Sequence, residues 1–143
     1  MALFQLIYVS SLVNPDSSVV TSILETSVRN NKKKDITGMM LYSDGDIMQA
    51  LEGEGAAVMD TFSRILVDLR HVGIIVLDEG EIAQRDFGAW SMGFRQLKKA
   101  DILESGFSAD VFETREHEIT RRIRRSSALD LFRSFAPSAA SGR

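Results

Sequence analysis

The order in which hydrophobic periodicity changes along this chain constrains its fold more than any other feature. Leu3 to Val9 alternates, with Phe4, Leu6 and Tyr8 on one face, and its aromatic and β-branched content favours a strand. Asn14-Pro15-Asp16-Ser17 supplies proline and capping residues, after which Val20, Ile23, Leu24, Ser27 and Val28 recur at helical spacing. Asn30-Asn31 and Lys32-Lys33-Lys34 are expected to close that helix: asparagine tolerates the end geometry, and lysines suit the negative pole. Two short strands follow, Ile36 to Tyr42 and Ile47 to Leu51, and the Asp44-Gly45 step makes their join a hairpin. Val58, Phe62, Ile65, Leu66 and Leu69 predict a second helix from about Ala56 to Leu69. Ile74 to Leu77 reads as a buried strand and Ala89 to Phe94 as the last strand.

That order, β-α-β-β-α-β-β, predicts an α+β fold: a ferredoxin-like sandwich with a mixed five-stranded sheet and both helices on one face. The opposite face needs cover. Helical spacing returns from about Ser108 in Val111, Phe112, Ile119 and Ile123, and a second apolar group follows in Leu129, Leu131, Phe132 and Phe135. Residues 1–97 are therefore read as the sheet domain and 98–136 as a C-terminal helical extension that covers the bare face, in its own subunit or in a partner. Residues 137–143 are small and polar and are expected to be disordered.

Composition excludes several chemistries. The 143 residues contain no cysteine, which rules out disulfides, thiolate catalysis and Cys-based metal sites, and only two histidines, His71 and His117, far apart in sequence. The net charge is −3, and acidic and basic side chains are spread evenly, so no basic surface awaits a nucleic acid. Arg121-Arg122 and Arg124-Arg125 have Glu113, Glu116 and Glu118 within reach on the same predicted helix and read as a solvated, self-paired face. No apolar stretch is long enough to cross a membrane and the start is not a signal peptide, so a cytoplasmic location is the expectation.

One residue does not fit an ordinary core. Gln49 lies on the inward face of an apolar strand, where an amide without partners would cost about 1–3 kcal/mol. Candidate partners are Tyr8, Asn30-Asn31 and Trp90-Ser91-Met92, which together suggest a buried polar pocket. Singly, each has an ordinary reading: a core tyrosine, a helix end, core filler. Their joint occurrence is what those readings leave unexplained.

In this order the residues resemble the BLUF family of blue-light sensors that bind flavin. The resemblance runs from about Leu3 to Arg95 and rests on Tyr8, Asn30-Asn31, Ile36-Thr37-Gly38, Gln49 with Leu51-Glu52-Gly53, Arg64, Asp68-Leu69-Arg70-His71, Phe87 and Trp90-Ser91-Met92-Gly93. It implies a flavin bound noncovalently between the two helices, FAD by preference and FMN or riboflavin as alternatives. Ile23, Ser27, Asn30, Asn31, Gln49, Arg64, Asp68, Arg70 and His71 are the implied cofactor-binding residues. It also implies a photoactive group, Tyr8, Gln49, Met92 and Trp90, in which light moves an electron from Tyr8 and a proton through Gln49, leaving the Gln49 amide rotated or tautomerised. Strand alternation puts Trp90, Met92 and Phe94 on one face, so a two-residue slide of the last strand is expected to exchange Trp90 with Met92 beside Gln49. The expected product is a sensor, not an enzyme. It is expected to form a homo-oligomer, dimer or larger, through its sheet face or helices, and to signal to a protein partner in trans. The rival readings, an RNA-binding module or another small ligand binder of this fold, or an acylphosphatase-like hydrolase, lack exposed aromatics on the central strands and a glycine-rich anion loop after the first strand.

Overall fold

A computed structural model describes residues 2–98, 100–101 and 132. Its elements follow the order β1 (Leu3–Leu12), α1 (Ser17–Lys34), β2 (Thr37–Ser43), β3 (Asp46–Glu54), α2 (Gly55–Leu66), β4 (His71–Ile82) and β5 (Gly93–Gln96). The sheet order is β4-β1-β3-β2-β5. β1 pairs antiparallel with β3 and β4, β2 pairs antiparallel with β3, and β5 joins the edge parallel to β2. This is the expected mixed ferredoxin-like sheet. Asp44 and Gly45 both adopt positive φ, 50° and 87°, the geometry of a tight hairpin turn.

Both helices cover one face. Leu6, Tyr8, Met40, Ile47 and Leu51 from the sheet pack there with Val20, Ile23 and Leu24 of α1 and Val58 and Phe62 of α2. Each fully buried side chain of this size stabilises the fold by about 1.5–3 kcal/mol. On the other face Ile7, Val9, Met39, Leu41, Met48 and Ala50 form a second cluster with Phe87, Trp90, Leu97 and Phe132. Phe132 belongs to the C-terminal extension, and its ring lies 5.6 Å from that of Phe87. The rest of the extension and the tail, with their arginine pairs and His117, lie outside the described residues. Among the described residues no helix is long and apolar enough to cross a membrane.

Five expectations are corrected. Asn30-Asn31 do not end α1, which continues to Lys34 and is closed by Asp35 in the left-handed region (φ 54°), its N–H bonded to the Asn31 carbonyl. α2 stops at Leu66, so Asp68 follows the helix rather than lying on it, and Leu69 is exposed instead of completing the apolar stripe. Ile74 to Leu77 belongs to a longer strand, β4, at the sheet edge, where Val76 is exposed and Leu77 buried; branched side chains suit an edge as well as an interior strand. The last strand begins only at Gly93, so Trp90, Ser91 and Met92 form an irregular segment before it. Without strand geometry, period-two alternation no longer holds there. Met92 packs with the helix-side cluster and Trp90 with the opposite one, so the two do not share a face.

Candidate functional site

The β1–β3 register places Tyr8 directly opposite Gln49, with their side chains on the helix-covered face. Both are buried, and the Tyr8 hydroxyl donates a hydrogen bond to Gln49 Oε1. The other end of the amide, Nε2, donates to the Met92 sulfur at 3.6 Å. A phenol, an amide and a thioether are thus joined in one buried line across β1, β3 and the segment before β5. Burial raises the Tyr8 pKa far above its ordinary value, and the Asp68 carboxylate adds to the shift. The phenol therefore stays protonated at any physiological pH and acts toward Gln49 as a donor.

Asn31 is also buried, and its Nδ2 donates to the Ser91 carbonyl at 2.8 Å. The Trp90 carbonyl accepts from Gly38 N at 3.2 Å. The segment before β5 is thereby tied to α1 and to β2 on either side of Ser91. Gly38 is required here because a Cβ would fall 2.1 Å from the Ala50 carbonyl oxygen and 3.3 Å from Met92 Cε.

Between α1 and α2 lies a cleft with about 520 Å³ of empty space, part of it continuous with solvent. All nine residues expected to contact a cofactor, Ile23, Ser27, Asn30, Asn31, Gln49, Arg64, Asp68, Arg70 and His71, line it. Their polar groups are not equally engaged. Asp68 and Arg70 form a paired fork, with Arg70 Nη2 on Asp68 Oδ2 at 2.7 Å and Nε on Oδ1 at 3.0 Å, while Arg70 Nη1 reaches Ser22 Oγ on α1 at 2.9 Å. The Arg70 guanidinium holds the Asp68 pKa below the usual carboxylate range. Arg64 faces Asp60 at 3.5 Å, with its side chain largely in solvent, instead of pairing with Asp68. The buried His71 ring shares a hydrogen bond with Ser10 Oγ at 2.9 Å through Nδ1, and desolvation lowers its pKa.

The structure adds cleft residues that the sequence reading did not assign to a cofactor: Thr26, Lys34, Leu51, Thr61 and Ile65. Leu51 follows Gln49 by two and Thr61 follows Val58 by three, so face periodicity could have found both. Of the expected photoactive group Gln49 lines the cleft, Tyr8 and Met92 pack behind it on the helix-covered face, and Trp90 lies away from that face. It stands on the far face of the sheet, and its indole N–H has no partner among the described residues.

The BLUF family, described as sensors of blue-light using FAD, matches residues 3–93. Photoactivated adenylate cyclase subunit beta of Euglena longa is 32% identical over 89 residues, a match that covers 61% of this chain. The match spans only 10% of that relative's length. Among solved structures, BlsA in its photo-activated state superposes with a TM-score of 0.69 at 25% identity, covering 89% of this chain and 94% of that one. BlrB, a BLUF protein in its dark state, gives a TM-score of 0.66 at 26% identity, covering 90% of this chain and 97% of its own. The chain belongs to the BLUF family of blue-light flavin photoreceptors.

The cleft suits a flavin on its own chemistry. Ile23, Leu51 and Ile65 offer apolar flanks, while amide and hydroxyl groups offer a hydrogen-bonding rim for a flat ring with polar edges. A buried hydroxyl with no partner among the described residues, that of Thr61, lies in the same wall.

Proposed function

We propose that this chain holds FAD noncovalently in the cleft between α1 and α2 and converts blue light into a rearrangement of the Tyr8–Gln49–Met92 line. Bound flavin supplies the absorption of blue light and an excited state able to oxidise a nearby phenol. Everything else falls to the protein. Ile23, Leu51 and Ile65 exclude water from the ring faces; Ser27, Asn30, Asn31 and Gln49 orient its polar edge, with Arg64, Asp68, Arg70 and His71 at the rim of the same site. Tyr8 holds its proton against a carboxylate-bearing, water-poor surrounding, so that proton leaves only when an electron leaves, and Gln49 Oε1 is positioned to take it. When the electron and a proton return to Tyr8, the Gln49 amide is left rotated or tautomerised, which exchanges donor for acceptor at both ends. Met92 loses its donor, and the change passes through Ser91 and its Asn31 bond to β5.

The observation that carries this reading is the hydrogen bonding of both ends of one buried amide, to Tyr8 and to Met92. FAD is preferred over FMN or riboflavin on the family's description. In this reading 1–97 is the flavin-binding domain, and 98–136 carries the signal onward, to a partner or between copies of the chain, with 137–143 as a tail. Trp90, next to Ser91 and on the opposite face, moves with that segment.

Absorption spectra before and after blue light, on the wild type and Gln49→Leu, test the switch. The expected result is a small red shift that decays in darkness and vanishes in the variant. A Gln49→Leu protein that shifts like the wild type would sink the role assigned to Gln49. Chromatography of the extracted cofactor separates FAD from FMN.

A further inference from the structure

Two buried side-chain atoms have no hydrogen-bond partner among the described residues, Trp90 Nε1 and Thr61 Oγ1. They lie on opposite faces of the sheet. Trp90 sits in the cluster away from the helices, whereas Thr61 lines the cleft. A helical threonine has a simple way to satisfy its hydroxyl, by bonding to the carbonyl four residues back. Thr21, Thr26 and Ser63 do this, reaching the Ser17, Ser22 and Met59 carbonyls at 3.0, 2.9 and 2.9 Å. Thr61 is only 8% exposed, yet it makes no such contact and has no other hydrogen-bond partner among the described residues. Valine has the same shape and would fill this position between Val58 and Ile65 with no unpaired group. A hydroxyl at this position is satisfied when a polar group bound in the cleft meets it.

We propose that the Thr61 hydroxyl is a hydrogen-bonding contact to the bound flavin and helps set its affinity and orientation. The inference rests on the flavin reading of the cleft. A hydroxyl can both donate and accept, and the heteroatoms of a flavin ring include both kinds of partner. Thr61 would thus hold the ring from α2, while Ser27, Asn30 and Asn31 hold it from α1.

The test compares full-length wild type, Thr61→Val and Thr61→Ser as apoproteins, titrated with FAD by fluorescence quenching and melted without it. Thr61→Val should bind FAD about 3- to 10-fold more weakly, the worth of one net hydrogen bond, and Thr61→Ser nearly as well as wild type. Apo Thr61→Val should melt higher than apo wild type, because it removes an unpaired buried group. Loss of affinity together with gain of apo stability is a pattern that a packing role would not produce. Equal FAD affinity and an unchanged dark spectrum in Thr61→Val would overturn this inference and leave the flavin reading standing. Weakening in both variants, with lower melting of both apoproteins, would overturn it in favour of packing. Failure of the wild type to bind FAD would overturn both.

Discussion

Glu52 is completely buried, yet it is an acid whose carboxylate accepts four hydrogen bonds, from Gln5 Nε2, Thr37 Oγ1, Asp86 N and Phe87 N. Gln5 and Thr37 are its register partners on the flanking strands, so one side chain joins β1, β3 and β2 to the loop that leads toward Trp90. Glu52→Ala leaves these donors facing a void and should cost about 2–4 kcal/mol in urea unfolding of the apoprotein. The sequence marked Glu52 only by its place in a family pattern, because its partners come from three strands and a loop and register cannot be read from spacing. Gln49 was legible for the opposite reason: a lone amide in an apolar strand is anomalous in any register. Titration gives a second expectation at this scale. His71 has a lowered native pKa, so the unfolded chain binds its proton more tightly, and stability should fall as pH drops below about 6.5. Tyr8 has a raised pKa, so its contribution holds below about 10 and should be lost as pH rises beyond that. Thermal melting across pH should show both flanks, with the alkaline one shallower in Tyr8→Phe.

At the scale of elements, α1 begins where the sequence says it should. Asp16 accepts from Ser18 N at 2.9 Å, a side-chain cap on an end that carries no acidic residue in its first turn. Asp16→Ala should cost about 1 kcal/mol, a fall of a few degrees in the melting temperature, with no change in the flavin spectrum. Gly38→Ala should do more, at least about 2 kcal/mol, because the new methyl meets the Ala50 carbonyl and displaces Met92. A dark spectrum altered along with stability would locate the effect at Met92; a variant as stable as wild type would show that β2 and β3 can part there without penalty. Elements with strong periodicity and defined caps were legible. The end of α2 and the start of β5 were not, since Leu69 continues a helical spacing that the chain does not follow, and Trp90 and Met92 continue a strand spacing that ends in irregular backbone. After α2 a local turn overrules the helical pattern, with Arg70 N bonded back to Asp68; before β5 tertiary contacts overrule the strand pattern, with Asn31 and Gly38 holding the Ser91 segment.

For the whole molecule, the sheet has a helix-covered face and an opposite face, and the side chains of β1, β2 and β3 reach both. The extension takes part in the second through Phe132, which is fully buried. Phe132→Ala should therefore destabilise the fold by about 3–5 kcal/mol, measured by denaturant unfolding, although it lies far in sequence from the strands it covers. The need for such a cover was legible from the bare face of a five-stranded sheet, with Phe132 among the apolar candidates for it; its contact with Phe87 was not. β5 differs from the other strands in how little attaches it. It spans four residues and pairs with β2 alone, and the segment before it is held by hydrogen bonds from Asn31, Gly38 and Gln49. These bonds are worth about 1 kcal/mol each, and the burial of Trp90 and Met92 adds to them. If β5 is the strand that carries the proposed signal, an attachment light enough for the chromophore to release would also open by thermal motion, and that opening would set a floor of spontaneous signalling in darkness.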